Sequence, residues 1–176
     1  MISADVKSLF TSVPTMDALA TIREILEADE DLKSQTGMTT STLLDLVKLC
    51  MITNFKFRGN HYALTDGLAM GAPSSSVIAN LYIGKLEEKA IPSFDGPKPK
   101  FWRRYVDDIF AILKKAVLGK FLMHLNAQHP KIRFTVDTEK ENTLPFPDLN
   151  VRRVGGELAT SVYGKPMHTG RYLRFD

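Results

Sequence analysis

Between Thr15 and Ala28 the apolar residues Leu19, Ile22, Ile25 and Leu26 recur at the spacing of one helix face, which predicts an amphipathic helix. Thr15 or Ser12 would cap it, Pro14 suits its entry, and the acidic run at 29–31 ends it. A second helix is predicted from about Ser41 to Asn54, with Leu43, Leu44, Leu46, Val47 and Met51 turned inward. Ahead of both, Ile2 to Val6 reads as a short strand ending near Asp5 and Lys7. F-K-F-R-G-N-H-Y-A-L alternates around Gly59-Asn60, the mark of a hairpin. The loop T-D-G-L-A-M-G-A-P-S-S-S leads into a third helix, V-I-A-N-L-Y-I-G-K-L-E-E-K-A, and P-S-F-D-G-P-K-P-K at 92–100 reads as a loop. Strands are expected at about 101–106 and 109–114, a helix at 117–128, and strands at 132–138, 146–153 and 157–163. The expected fold is α+β, one domain over residues 1–176, with helices packed on one face of a mainly antiparallel sheet and a β-α-β-β-α-β core within it.

Composition changes this picture little. At 44% hydrophobic and 24% charged, the chain can bury a real core and is not of a disordered class. No apolar run approaches the ~18 residues of a membrane span, so no membrane association is expected, and the N-terminal residues do not read as a signal peptide. Cys50 is the sole cysteine, which excludes a disulfide framework or a thiolate zinc cluster and suggests an intracellular setting. Charge is uneven: residues 1–97 hold 8 Lys/Arg against 12 Asp/Glu, residues 98–176 hold 15 against 8. A basic half suits a polyanion partner, and equally a solvated face.

The feature that packing does not explain is F-W-R-R-Y-V-D-D-I-F, residues 101–110. Two adjacent carboxylates repel each other, and burying either without compensation costs several kcal/mol. A turn would expose Asp107 and Asp108 at the lip of the sheet, and if strands 1–6 and 101–106 are neighbours, Asp5 joins them. Three clustered carboxylates call for a hard divalent cation such as Mg²⁺, and a pair of such ions can hold both oxygens of a phosphoryl transfer. Asp-Asp is also a common turn dipeptide, so a purely structural turn stands beside this reading.

Several segments carry a family resemblance in the right order. Y-V-D-D-I-F between β-prone runs resembles the catalytic hairpin of reverse transcriptases. D-V-K-S-L-F resembles their first metal-binding motif, and G-L-A-M-G-A-P-S-S-S the loop and helix between the two. With D-V-K-S-L-F-T-S-V-P, W-R-R-Y-V-D-D-I-F, I-R-F-T-V-D-T-E-K-E-N-T-L-P-F-P-D-L and Y-G-K-P-M-H-T-G-R-Y-L, the wording is similar to Penelope-like retroelements, relatives of telomerase reverse transcriptase, over nearly the whole chain. The resemblance implies a polymerase palm with a ferredoxin-like core and RNA-directed DNA polymerase activity. Two Mg²⁺ ions, replaceable by Mn²⁺, would be held by Asp5, Asp107, Asp108 and the Val6 carbonyl. Phe10 would stack under the sugar of the incoming dNTP and exclude a 2′-hydroxyl, while Gly71 and Pro73 would shape the loop at the nascent base pair. Ser74 to Ser76 would cap the helix that follows. Tyr105 would lie near the DNA primer terminus, and Lys165, His168 and Arg171 would grip the primer strand paired to its RNA template. Lys131 or Lys140 would be candidates to protonate pyrophosphate, each equally readable as a solvated lysine.

Phe10 and Trp102 also read as core residues, Trp102, Arg103 and Arg104 also as nucleic-acid contacts, and His61, His124 and His129 as structural. The chain departs from the family at Leu64, where Gln is usual, at Pro147, where Leu is usual, and in the serines before the third helix. The resemblance further implies a fragment of a retroelement polyprotein without its fingers, thumb and endonuclease domains, and nuclear action. The competing expectation is a catalytically inactive relic or domesticated nucleic-acid-binding module. Viral RNA polymerases, with Gly before the paired acids, and nucleotide cyclases fit less well.

Overall fold

The computed structural model describes residues 1–163, and Lys165, His168 and Arg171 lie outside them. Its centre is a four-stranded antiparallel sheet built from β1 (Ile2–Val6), β4 (Phe101–Tyr105), β5 (Asp108–Ile112) and β6 (Phe134–Thr138), in the order β4-β5-β1-β6. Alternation along each strand divides the sheet into two faces. Ile2, Ala4 and Val6, with Ile109, Ala111 and Phe134, point into the main core. That core also takes Leu19 and Ile22 of α2 (Thr15–Ala28), Leu44 and Met51 of α4 (Thr40–Met51), Ile78, Ala79, Tyr82 and Ile83 of α5 (Pro73–Ser93), and Phe121 and Leu125 of α6 (Leu118–Asn126). Short helices α1 (Leu9–Ser12) and α3 (Leu32–Thr36), and a 3₁₀ turn at Lys115–Val117, complete the helical layer.

On the opposite face stand Phe101, Arg103 and Tyr105 of β4, Asp108, Phe110 and Ile112 of β5, Ser3 and Asp5 of β1, and Thr135 and Asp137 of β6. One end of this face is covered. A second sheet, β7 (Thr143–Phe146), β8 (Leu149–Val154) and β9 (Glu157–Val162), places Leu144, Val151 and Phe146 against Phe110 and Ile112 in a small second core. At the other end Tyr105, Asp108, Asp5 and Thr135 form one row across the sheet, and Tyr105 is 75% exposed.

The expected helices and strands are present, with four informative differences. Where one strand was expected at 146–153, the chain forms two, β8 and, ahead of it, β7. Pro145 interrupts its apolar pattern and is tolerated because β7 is an edge strand, while Pro147 sits in the turn before Leu149. Helix α5 continues through Pro92 to Ser93, into what the sequence suggested was loop. The hairpin of β2 (Asn54–Phe57) and β3 (Asn60–Ala63) turns at Arg58-Gly59, one residue earlier than expected. Both turn residues have positive φ, as a tight twisted hairpin requires. Neighbouring strands also differ: β5, not β4, lies against β1. No helix among the described residues is long and apolar enough to cross a membrane.

Candidate active site

The register of β1 against β5 sets Asp5 opposite Asp108. Side chains so paired in an antiparallel sheet have Cβ atoms about 5 Å apart. Asp108 is the first residue of β5 and pairs with Tyr105, so the turn proper is Val106-Asp107. The expectation that both aspartates occupy the turn therefore needs correction: Asp107 is a turn residue and Asp108 a strand residue. Asp107 nonetheless reaches β1, because its carbonyl accepts the Val6 amide N–H at 3.1 Å. Partial burial, and then the charge of Asp107, push the Asp5 carboxyl above its usual carboxylate range. Asp5 and Asp107 thus feel one another, and a cation between them would relieve the repulsion.

Beneath the turn lies a polar clamp that no local sequence pattern announces. Val106 has φ 56°, a conformation that β-branched residues rarely adopt. Arg104, on the helix-facing side of β4, donates from Nη1 to the Val106 carbonyl at 3.1 Å and to Asn80 Oδ1 at 2.7 Å. Its Nη2 donates to the Asn80 carbonyl at 3.2 Å, and its Nε to Glu87 Oε2 at 3.0 Å. Glu87 Oε1 accepts the Trp102 Nε1–H at 2.9 Å. Trp102 also packs edge-on against Phe121, so its reading as a core residue holds, and Arg104 is a structural cation of α5 and β4. Arg103 faces the other way, over the Phe101 ring. The signal for the clamp is indirect: Arg104 shares a strand face with Trp102, and a cation on a core-facing position needs a buried acid.

Phe10, half-buried in α1, packs against the main core, and its carbonyl accepts the Leu68 N–H at 2.7 Å. The aromatic after the first aspartate and the glycine loop are therefore joined directly. The glycine that this junction requires is Gly67. Its φ is +84°, and a Cβ there would meet the Thr11 carbonyl oxygen at 2.8 Å. Gly71, with φ +90°, borders open space. Asp66 accepts the N–H groups of Thr15 and Gly67, each at 2.9 Å, and pairs with Lys131. The Lys131 ammonium, and then the Thr15 and Gly67 groups, hold the Asp66 carboxyl well below its usual range. Asp66 thus caps α2 from the loop, and neither Thr15 nor Ser12 does so.

Pro73 is the first residue of α5, whose N-cap Ala72 has no side chain to cap it. Ser74 to Ser76 do not cap the helix: the Ser74 hydroxyl donates to the Cys50 carbonyl of α4. Lys140 is exposed and joined by its backbone to Thr143. His124 lies against the Ala90 carbonyl and the Phe94 ring, and His129 pairs with Asp17.

The donors available to a metal are oxygens only, which suits Mg²⁺ or Mn²⁺. Among the described residues no three His, Cys, Asp or Glu side chains are gathered into a ready-made metal cage. An ion of the Mg²⁺ type that keeps waters and takes substrate phosphates needs only one or two protein carboxylates, and Asp5 and Asp107 are the two that could hold one here.

No family model matches the chain, and no curated protein matches its sequence. Solved structures do. Apo telomerase from Candida tropicalis, truncated from its C-terminal domain, aligns with TM-score 0.61 at 14% identity over 91% of this chain and 35% of that one. Telomerase from Candida albicans, in complex with a fragment of telomeric RNA, aligns with TM-score 0.61 at 12% identity over 90% and 31%. The chain spans about a third of the length of these structures. At such identities the likeness is one of architecture: this is an α+β chain with a fold of the telomerase, reverse-transcriptase-like kind.

Proposed function

We propose that this chain is the catalytic palm of an RNA-directed DNA polymerase of the Penelope-like type, part of a longer retroelement protein acting in the nucleus. The observation that carries the reading is the meeting of Asp5 with the Asp107-Asp108 pair at the open end of a sheet whose fold is telomerase-like. The element sequence β1, helices, β4, β5, α6, β6 with sheet order β4-β5-β1-β6 supports a ferredoxin-like palm core.

Two divalent cations, when bound, would supply the positive charge that activates a primer 3′-hydroxyl and neutralises the departing pyrophosphate. Asp5 and Asp107 would hold them, with Asp108 alongside and the Val6 carbonyl as a further oxygen. The Arg104 clamp would keep the Val106-Asp107 turn in one conformation, so that Asp107 need not reorganise as charge develops. Phe10 would carry the deoxyribose of the incoming nucleotide on its ring. Gly71 and Pro73 would border the nascent pair, and Tyr105 would meet the primer end. Lys165, His168 and Arg171 would extend the grip on the primer. Lys131 is already paired with Asp66, and Lys140 follows the end of β6 that pairs with Ile2, away from Asp5, so the fold favours neither lysine for protonating pyrophosphate.

The test is primer extension on an RNA template with dNTPs and Mg²⁺ or Mn²⁺, comparing the unmodified chain with Asp107→Asn. Extension by the former, reduced at least about a hundredfold in the variant, is expected. Extension by neither protein would sink the catalytic reading in favour of a catalytically inactive, nucleic-acid-binding module.

A further inference from the structure

The β2–β3 hairpin is paired only with itself among the described residues, and every one of its strand residues is exposed. Its composition does not fit solvent. Phe55, Phe57 and Tyr62 are 49%, 55% and 44% exposed, whereas a turn-forming ribbon in water normally carries polar side chains. Phe55 and Tyr62 form a cross-strand stack with ring centroids 5.4 Å apart, and Phe57 follows Phe55 on the same face. The charge is one-sided. Residues 54–63 include Lys56, Arg58 and His61 and no Asp or Glu; the Arg58 guanidinium lies over the Phe57 ring at 5.2 Å, while Lys56 and His61 pair with each other on the opposite face.

Aromatic faces interleaved with cations suit unpaired nucleotides, whose bases stack and whose phosphates are anionic. The hairpin base is tied to the candidate site: Leu64 N–H donates to the Thr53 carbonyl at 2.9 Å, and two and four residues on, Asp66 and Leu68 lock the loop to Thr15 and Phe10. We infer that the β2–β3 hairpin is a stacking platform for single-stranded nucleic acid, using Phe55, Phe57 and Tyr62 for bases and Arg58 for phosphate. This deepens the proposed function and rests on a polynucleotide being the ligand of this chain.

Fluorescence anisotropy with labelled 20-nucleotide single-stranded RNA and DNA, and with a 20-base-pair duplex, tests it on the intact chain. Phe57→Ala and Tyr62→Ala are each expected to weaken single-strand binding about tenfold or more while leaving the melting temperature and duplex binding nearly unchanged. Arg58→Ala is expected to lower the slope of log affinity against log salt by about 0.7, and Lys56→Ala, on the opposite face, to lower it less. Weakening for RNA alone or for both polymers identifies which strand is held. Unaltered single-strand affinity in the aromatic variants, no polynucleotide binding by the unmodified chain, or loss of self-association in place of nucleic-acid affinity would each overturn it. The two proposals fail separately: single-strand binding that depends on Phe57 and Tyr62 in a chain that extends no primer would remove the catalytic reading and leave the hairpin assigned, and extension with single-strand affinity unaltered in Phe57→Ala and Tyr62→Ala would do the reverse.

Discussion

The β4–β5 and β2–β3 hairpins share a backbone device and differ in everything around it. Each closes with a two-residue turn whose first residue is a non-glycine at left-handed φ, Val106 at 56° and Arg58 at 49°. Under the first, Arg104, Asn80, Glu87 and Trp102 form a hydrogen-bonded block that grips the turn carbonyl, and β1 holds Asp107 from the side. The second stands on its own pair of strands with aromatic and basic side chains outward. Strain of order 1–3 kcal/mol persists where surroundings over-determine it. The β4–β5 turn is over-determined and suits placement of a carboxylate. The β2–β3 turn relies on Gly59 and suits contact with something arriving from outside.

The sharpest way to break this comparison is to remove the guanidinium from each hairpin. Arg104→Ala leaves Glu87 nearly buried without its cation and is expected to destabilise by about 3–5 kcal/mol. Arg58→Ala is expected to stay within about 0.5 kcal/mol, as at most exposed sites. Urea unfolding of both variants decides it, and similar losses would mean that the clamp is not what distinguishes the hairpins. A smaller effect separates the glycines. Gly67→Ala combines a left-handed φ with a clash against the Thr11 backbone and is expected to cost about 2–4 kcal/mol, against about 1 kcal/mol for Gly59→Ala, where φ is +85° but space is open. Thermal melts read the difference.

The smallest effect is electrostatic. The Asp5 carboxyl is raised by burial and by Asp107, so the folded chain binds its proton more readily than the unfolded one. Its contribution to stability is therefore fullest below the unfolded pKa of about 3.9 and is lost as pH rises through the folded value. Asp5→Asn should match the unmodified chain at pH 3 and melt slightly higher at pH 7. Millimolar Mg²⁺ should reverse that order by stabilising only the chain that keeps both carboxylates. A melting temperature of the unmodified chain that ignores Mg²⁺ would separate the carboxylates from any metal.

Much of this was legible from local pattern. The helix over Thr15–Ala28 and the strand Ile2–Val6 follow from apolar spacing, and the carboxylate pair stood out because packing gave it no use. What was misplaced depended on partners distant in sequence. The cap of α2 is Asp66, 51 residues from Thr15, and no local rule finds it. Glu87 lies in a predicted helix with nothing nearby in sequence to mark it, and only the fold brings Trp102 and Arg104 to it. The Asp pair was divided between turn and strand by a one-residue difference in register, and that register is set where β5 pairs with both β4 and β1.

By itself the sequence determined the periods, the turn chemistry and the sites where charge has no structural purpose, because these depend on side chains within a few residues of each other. Tertiary structure alone decided that β5 lies between β4 and β1, that Asp5 therefore faces Asp108, and that one end of the open sheet face is sealed by Leu144, Phe146 and Val151 while the other is left to the carboxylates. Strand order and coverage are settled by which apolar faces bury most surface together, and that is a property of the whole chain rather than of any segment.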